Sequence, residues 1–83
     1  MAVYSIFFKD SVRKYLDSIP NNYLQRIMGR IGSLAENPRP LGCEKLTGQE
    51  KYRIRQGDYR IIYSIQDTQL TVWVVKVGHR REV

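Results

Sequence analysis

The chain has 83 residues, 42% hydrophobic and 27% charged, with fourteen basic side chains against eight acidic ones. That length suits one small domain with one modest core. Its longest apolar run, Val72–Val75, is four residues, far short of the ~18 that a membrane span needs. One cysteine, Cys43, and one histidine, His79, exclude a disulfide framework and the zinc-finger and HExxH metal motifs.

Residues 1–20 lack the cationic head, apolar stretch and small-residue cleavage site of a signal peptide, so a cytoplasmic address is expected. Formal charge is +6, and nine of the fourteen basic residues are arginine. Arginine grips phosphate through two parallel N–H bonds, as lysine does not. A merely solvated basic surface and a polyanion partner, nucleic acid or an acidic protein segment, both fit that charge.

In chain order, Val3–Phe8 (VYSIFF) reads as a strand. Asp10 or Ser11 is the expected cap of a helix carrying Val12, Tyr15, Leu16 and Ile19 on one face. Pro20-Asn21-Asn22 breaks the chain, and a second helix follows with Leu24, Ile27, Met28, Ile31, Leu34 and Ala35 as its apolar stripe. Gly29 and Gly32 weaken that helix, and close packing on its neighbour is their expected use. Asn37-Pro38 ends it. Residues 37–50 are turn-rich, with a short strand expected near Glu44–Leu46.

From residue 51 the apolar period becomes two. Lys51–Gln56, Tyr59–Gln66 and Leu70–Val77 form an antiparallel meander with turns at Gly57-Asp58 and Asp67-Thr68. The last strand is apolar on both faces, which places it inside the sheet. The predicted fold class is α+β: an N-terminal strand and an αα-hairpin packed on one face of an antiparallel sheet, in a single domain spanning 1–83.

A two-residue loop at Gly57-Asp58 sets a register: Arg55 opposite Arg60, Ile54 opposite Ile61, Tyr52 opposite Tyr63. Tyr52, Ile54, Ile61 and Tyr63 then face the helices, and Arg53, Arg55 and Arg60 face away. Like charges directly opposed destabilise a hairpin, and an anion between them reverses the sign of that effect. P-loop, Rossmann, nucleophile-elbow and EF-hand patterns are absent. The arginine face and the tail Gly78-His79-Arg80-Arg81, expected beside it, are what remains.

Four blocks carry a resemblance: Leu34–Pro40 with Gly42, Lys45–Gly48, Tyr52–Tyr63, and Val77–Arg80. Together they resemble the RelE/ParE superfamily of toxins from type II toxin–antitoxin systems, in its RelE form more than in its ParE form, whose members poison DNA gyrase. The resemblance implies a compact α+β fold and a ribosome-dependent endoribonuclease that cuts mRNA. The chemistry implied is attack of a ribose 2′-hydroxyl on the adjacent phosphate, with neither metal nor cofactor.

By the same resemblance the expected catalytic residues are Arg53, Arg55, Arg60, Arg80 and, beside them, His79. The expected RNA contacts are Lys45, Lys51, Arg53, Arg55, Arg60 and Arg81. The implied partners are an acidic RelB-like antitoxin, the ribosome with mRNA, and promoter DNA only when the antitoxin is bound. RelE-type enzymes often carry lysines at the positions of Arg53 and Arg55 and a tyrosine shortly after the final arginine, where this sequence has Glu82-Val83. Arginine supplies charge but is a poor proton acceptor near neutrality, and His79 is the one side chain with an ordinary pKa close to it. Two alternatives stand beside the nuclease: a non-catalytic gyrase inhibitor of the ParE kind, and a non-catalytic co-repressor that binds its antitoxin.

Overall fold

The computed structural model describes residues 3–48 and 50–80. Its elements are β1 (Ser5–Phe8), α1 (Asp10–Asp17), α2 (Asn21–Ser33), β2 (Glu44–Lys45), β3 (Lys51–Gln56), β4 (Tyr59–Gln66), a 3-10 turn (Asp67–Gln69) and β5 (Thr71–His79). The strands make one sheet in the order β1-β5-β4-β3-β2, with α1 packed against β5 and α2 against β3. This is the expected α+β arrangement.

The β3–β4 hairpin has the inferred register, with Tyr52 opposite Tyr63, Ile54 opposite Ile61 and Arg55 opposite Arg60. Gly57 takes φ 60°, and Asp58 has no positive φ. A positive φ at the first loop residue alone is the type II′ pattern, whose twist matches that of the flanking strands.

Both helices and the inner sheet face build the core. Val12, Leu16 and Ile19 meet Ile27, Ile31 and Leu34, and all six lie on Ile54, Ile61, Val72, Val74 and Val77. Tyr63 is fully buried among them, and its hydroxyl donates to the Pro38 carbonyl at 2.7 Å. Burial, and then the neighbouring Cys43 thiol, pushes that hydroxyl well above the ordinary tyrosine range. It therefore stays a neutral donor and pins the loop after α2 to the sheet.

A second tie is on the surface. Arg39 forms a two-pronged bond to Asp67 at 2.9 and 3.1 Å, and Tyr4 Oη donates to the same carboxylate at 2.7 Å. The Arg39 guanidinium also lies 5.3 Å over the Tyr52 ring. One carboxylate thus joins the residue before β1, the loop after α2 and the turn before β5. Arg39, then Tyr4, holds the Asp67 carboxyl at about 2, below the ordinary 3.8.

Three local expectations are corrected. β1 joins β5 in parallel, Ser5 opposite Thr71 through Phe8 opposite Val74, so the sheet is antiparallel only from β5 to β2. The N-cap of α1 is Lys9, not Asp10 or Ser11. Lys9 N–H still bonds the Val74 carbonyl at 3.1 Å, so the chain remains strand-paired until the helix begins. Gly29 and Gly32 pack on nothing: a Cβ at either would meet no atom within 4 Å. They are on the solvent side of α2, where Met28 is also exposed.

Candidate functional site

The outer face of the sheet, away from the helices, carries the expected arginines. Three cross-strand rows organise it. One runs Arg55–Arg60–Gly78, the next Glu44–Arg53–Ile62–Lys76, and the third Lys51–Ser64–Trp73–Phe7. A β-bulge between Ile62 and Tyr63 takes up Val75, so that Val74 and Val77 both point into the core. On a regular strand, residues three apart point to opposite faces. With the bulge, Trp73 and Lys76 share the outer face.

Glu44, Arg53, Arg55 and Arg60 line a cleft of about 310 Å³ at the β2 end of this face. Within it the arginines differ. Arg53 Nη2 is 2.9 Å from Glu44 Oε2, so its charge is already matched by the edge strand. Arg55 is exposed and makes no ion pair among the described residues. Arg60 is half-buried, the second residue of β4, with Arg55 and Gly78 opposite it on the two flanking strands. Two arginines that line one cleft from directly opposed positions, beside a glycine, form a cradle for an anion such as a phosphate.

The remaining expected residues are scattered. Arg80 lies at the hairpin end: its N–H donates to the Asp58 carbonyl at 2.7 Å, and its Nε is 3.9 Å from Asp58 Oδ1. His79 is opposite Tyr59, on the helix side of the sheet, with its ring edge on that tyrosine at 5.7 Å and its N–H donating to Tyr15 Oη at 3.2 Å. It lines a separate cavity of about 270 Å³ with Tyr23, Arg26 and Tyr59. The structure therefore does not bring His79 beside Arg55 and Arg60. It directly follows Gly78, and period two turns consecutive residues to opposite faces.

Lys45 pairs with Tyr52, in the row of the inner face, and its ammonium is 3.9 Å from Glu50. Lys51 is on the outer face at the far end of β3. Arg81 lies outside the described residues. Sequence reading missed Lys76, which stands on the outer face opposite Ile62. Counting back from the inward Val77 would have found it.

Comparison with known proteins agrees with this architecture. The family model for the ParE toxin of type II toxin–antitoxin systems, parDE, matches residues 6–83. The chain belongs to that family, and so to the RelE/ParE superfamily of type II toxins. Among its relatives is Toxin RelG of Mycobacterium tuberculosis, 29% identical over 84 residues, with 96% of this chain and 94% of the relative covered. The fold is similar to the toxin–antitoxin complex RelBE2 of Mycobacterium tuberculosis, at TM-score 0.84 and 28% identity over 96% of this chain and 94% of that one. It is likewise similar to the RelE–RelB complex of Pyrococcus horikoshii, at TM-score 0.82 and 28% identity over the whole of both chains.

Proposed function

We propose that this toxin is an endoribonuclease of the RelE kind, cutting mRNA on the ribosome, and that a RelB-like antitoxin covers its arginine face. The observation that carries the reading is Arg55 directly opposite Arg60, on a sheet face that also carries Arg53 and Lys76. The cleavage is in-line transfer: the ribose 2′-oxygen bonds to phosphorus and the bond to the 5′-oxygen breaks. The 2′-hydroxyl proton passes to water and the 5′-oxygen takes one from water, giving a 2′,3′-cyclic phosphate and a 5′-hydroxyl. Charge on the phosphoryl oxygens grows toward the transition state. Arg60, fixed on β4 between two paired strands, meets it with preorganised charge, and Arg55 adds a second contact. Arg80, held near Asp58, is the cation nearest the leaving side, and His79 stays outside the reacting centre.

The antitoxin partner is supported by the toxin–antitoxin complexes among the neighbours and by the +6 charge. An acidic segment that orders on the toxin gains from that field. Promoter DNA is a partner only of the combined complex.

Primer extension on a reporter mRNA, with and without ribosomes, tests the activity. Arg60→Ala is expected to lose about 10²–10³ in rate, and Arg60→Lys to recover part of it, because an ammonium cannot hold two phosphate oxygens in a fork. Wild-type cleavage by Arg60→Ala would overturn the mechanism. His79→Ala is expected to cleave near the wild-type rate, and a large loss with a flattened pH–rate profile would return it to the centre. A second reading, gyrase inhibition without catalysis, is favoured by the ParE family match. Growth arrest by both wild type and Arg60→Ala, with no cleaved mRNA from either, would select it.

A further inference from the structure

The third row of the outer face, Lys51–Ser64–Trp73–Phe7, is unused by the anion cradle. Phe7 is an edge-strand residue with 43% of its surface exposed, and its ring stacks on Trp73 at 5.2 Å between centroids and 27° between planes. On the other side of Trp73 the register places a serine, and beyond it a lysine. Phe7 thus stacks on one ring face of the indole, and the residue opposite Trp73 on β4 is the short Ser64.

We propose that Trp73, Ser64 and Lys51 form a slot for one unpaired nucleobase of an RNA strand whose phosphate is held at Arg55 and Arg60. This rests on the nuclease reading above and extends it from phosphate to base. The walls of the slot, Trp73 and Lys51, stand two strands apart, roughly 9–10 Å between backbones at ~4.8 Å per strand. That gap admits a planar ring stacked on the indole.

Charge agrees with RNA. Lys51, Arg53, Arg55, Arg60 and Lys76 share this face, where the strands contribute one carboxylate, Glu44, already bound by Arg53. Lys76 stands between the slot and the cradle, beside Ile62, where the backbone of a strand joining the two would pass. The bulge that absorbs Val75 puts Trp73 and Lys76 on one face, and bulges commonly re-aim side chains beside sites. Aromatic faces that take unstacked bases, flanked by cations that take phosphates, are how proteins hold single strands.

Trp73 is the chain's one tryptophan, so its emission reports the slot directly. A labelled single-stranded oligoribonucleotide and an abasic oligomer of the same length are titrated into the full chain at low salt, following anisotropy and tryptophan emission. The oligoribonucleotide is expected to quench Trp73 saturably, and the abasic oligomer to bind without quenching. Trp73→Leu should weaken the oligoribonucleotide about ten-fold and leave the abasic oligomer unchanged. Trp73→Phe, which keeps a ring, should retain most of the affinity, and circular dichroism verifies that both variants fold.

Binding that needs Arg60 but neither quenches Trp73 nor weakens in Trp73→Leu overturns the slot and leaves the nuclease reading intact. Failure of both oligomers to bind overturns the slot, and primer extension on ribosomes decides the nuclease reading separately. Quenching by an acidic peptide and not by RNA gives the face to a protein partner and overturns the slot.

Discussion

Arg55 and Arg60 occupy directly opposed positions of the β3–β4 ladder, with Gly78 on the far side of Arg60. Glu44, on the same face, pairs with Arg53 at 2.9 Å. Like charges so placed work against the hairpin, by roughly 0.2–1 kcal/mol. Arg55→Ala should therefore leave stability unchanged or raise it by up to about 1 kcal/mol. Any gain should shrink as salt screens the pair. Urea midpoints at low and high salt measure this, and a clear loss of stability would mean that Arg55 has a structural partner.

Ile31 and Ile61 meet from the helix and the inner sheet face, at 1% and 0% exposure. Truncating either to alanine removes buried methylenes and leaves a cavity, at a cost of about 2–5 kcal/mol. For a domain this small that is much of the total stability. Denaturant unfolding of the two variants should show it, with midpoints well below that of Arg55→Ala.

Gly29 faces solvent inside α2, and an added methyl would meet nothing within 4 Å. Gly29→Ala should stabilise the fold by about 0.8–1 kcal/mol through helix propensity alone. A thermal midpoint that falls instead would show that this face of α2 is in contact with something in solution.

Tyr63 Oη donates its hydrogen bond in a buried site, to the Pro38 carbonyl at 2.7 Å. Tyr63→Phe keeps the ring and strands that acceptor, costing about 1–3 kcal/mol. Hydrogen exchange should also speed up in the loop after α2. Equal stability of the two proteins would show that water replaces the hydroxyl.

Asp67 couples stability to acid. Its carboxyl is held at about 2 in the folded protein against an ordinary 3.8, so the unfolded chain takes up the proton first as pH falls. The Arg39 bond therefore stabilises fully above 3.8, and that contribution is lost as pH falls toward 2. Asp67→Asn should be less stable than wild type at neutral pH and should show a flatter decline through that window. Parallel acid-unfolding curves would refute the assignment.

Patterns of short range were legible in the sequence. Alternation in Lys51–Gln56 and Tyr59–Gln66, with a glycine able to hold φ 60° in the turn, set the hairpin register and so the row of Arg55 and Arg60. Helical spacing placed Val12, Leu16, Ile27, Ile31 and Leu34 in the core. These follow from residue period and turn geometry, which act within a few positions. Tertiary structure alone decided the rest. The parallel pairing of β1 with β5 joins segments more than sixty positions apart, and no local period encodes its direction. A one-residue bulge at Val75 changes which face Trp73 shares, and packing against the facing strand sets it. Alternation sets Arg53 on the same face as Arg55 and Arg60, but its pairing with Glu44 depends on where a two-residue edge strand lands. His79 sits two positions from the core residue Val77, and the sheet turns it to the helix side, away from the arginines that the chain order sets beside it.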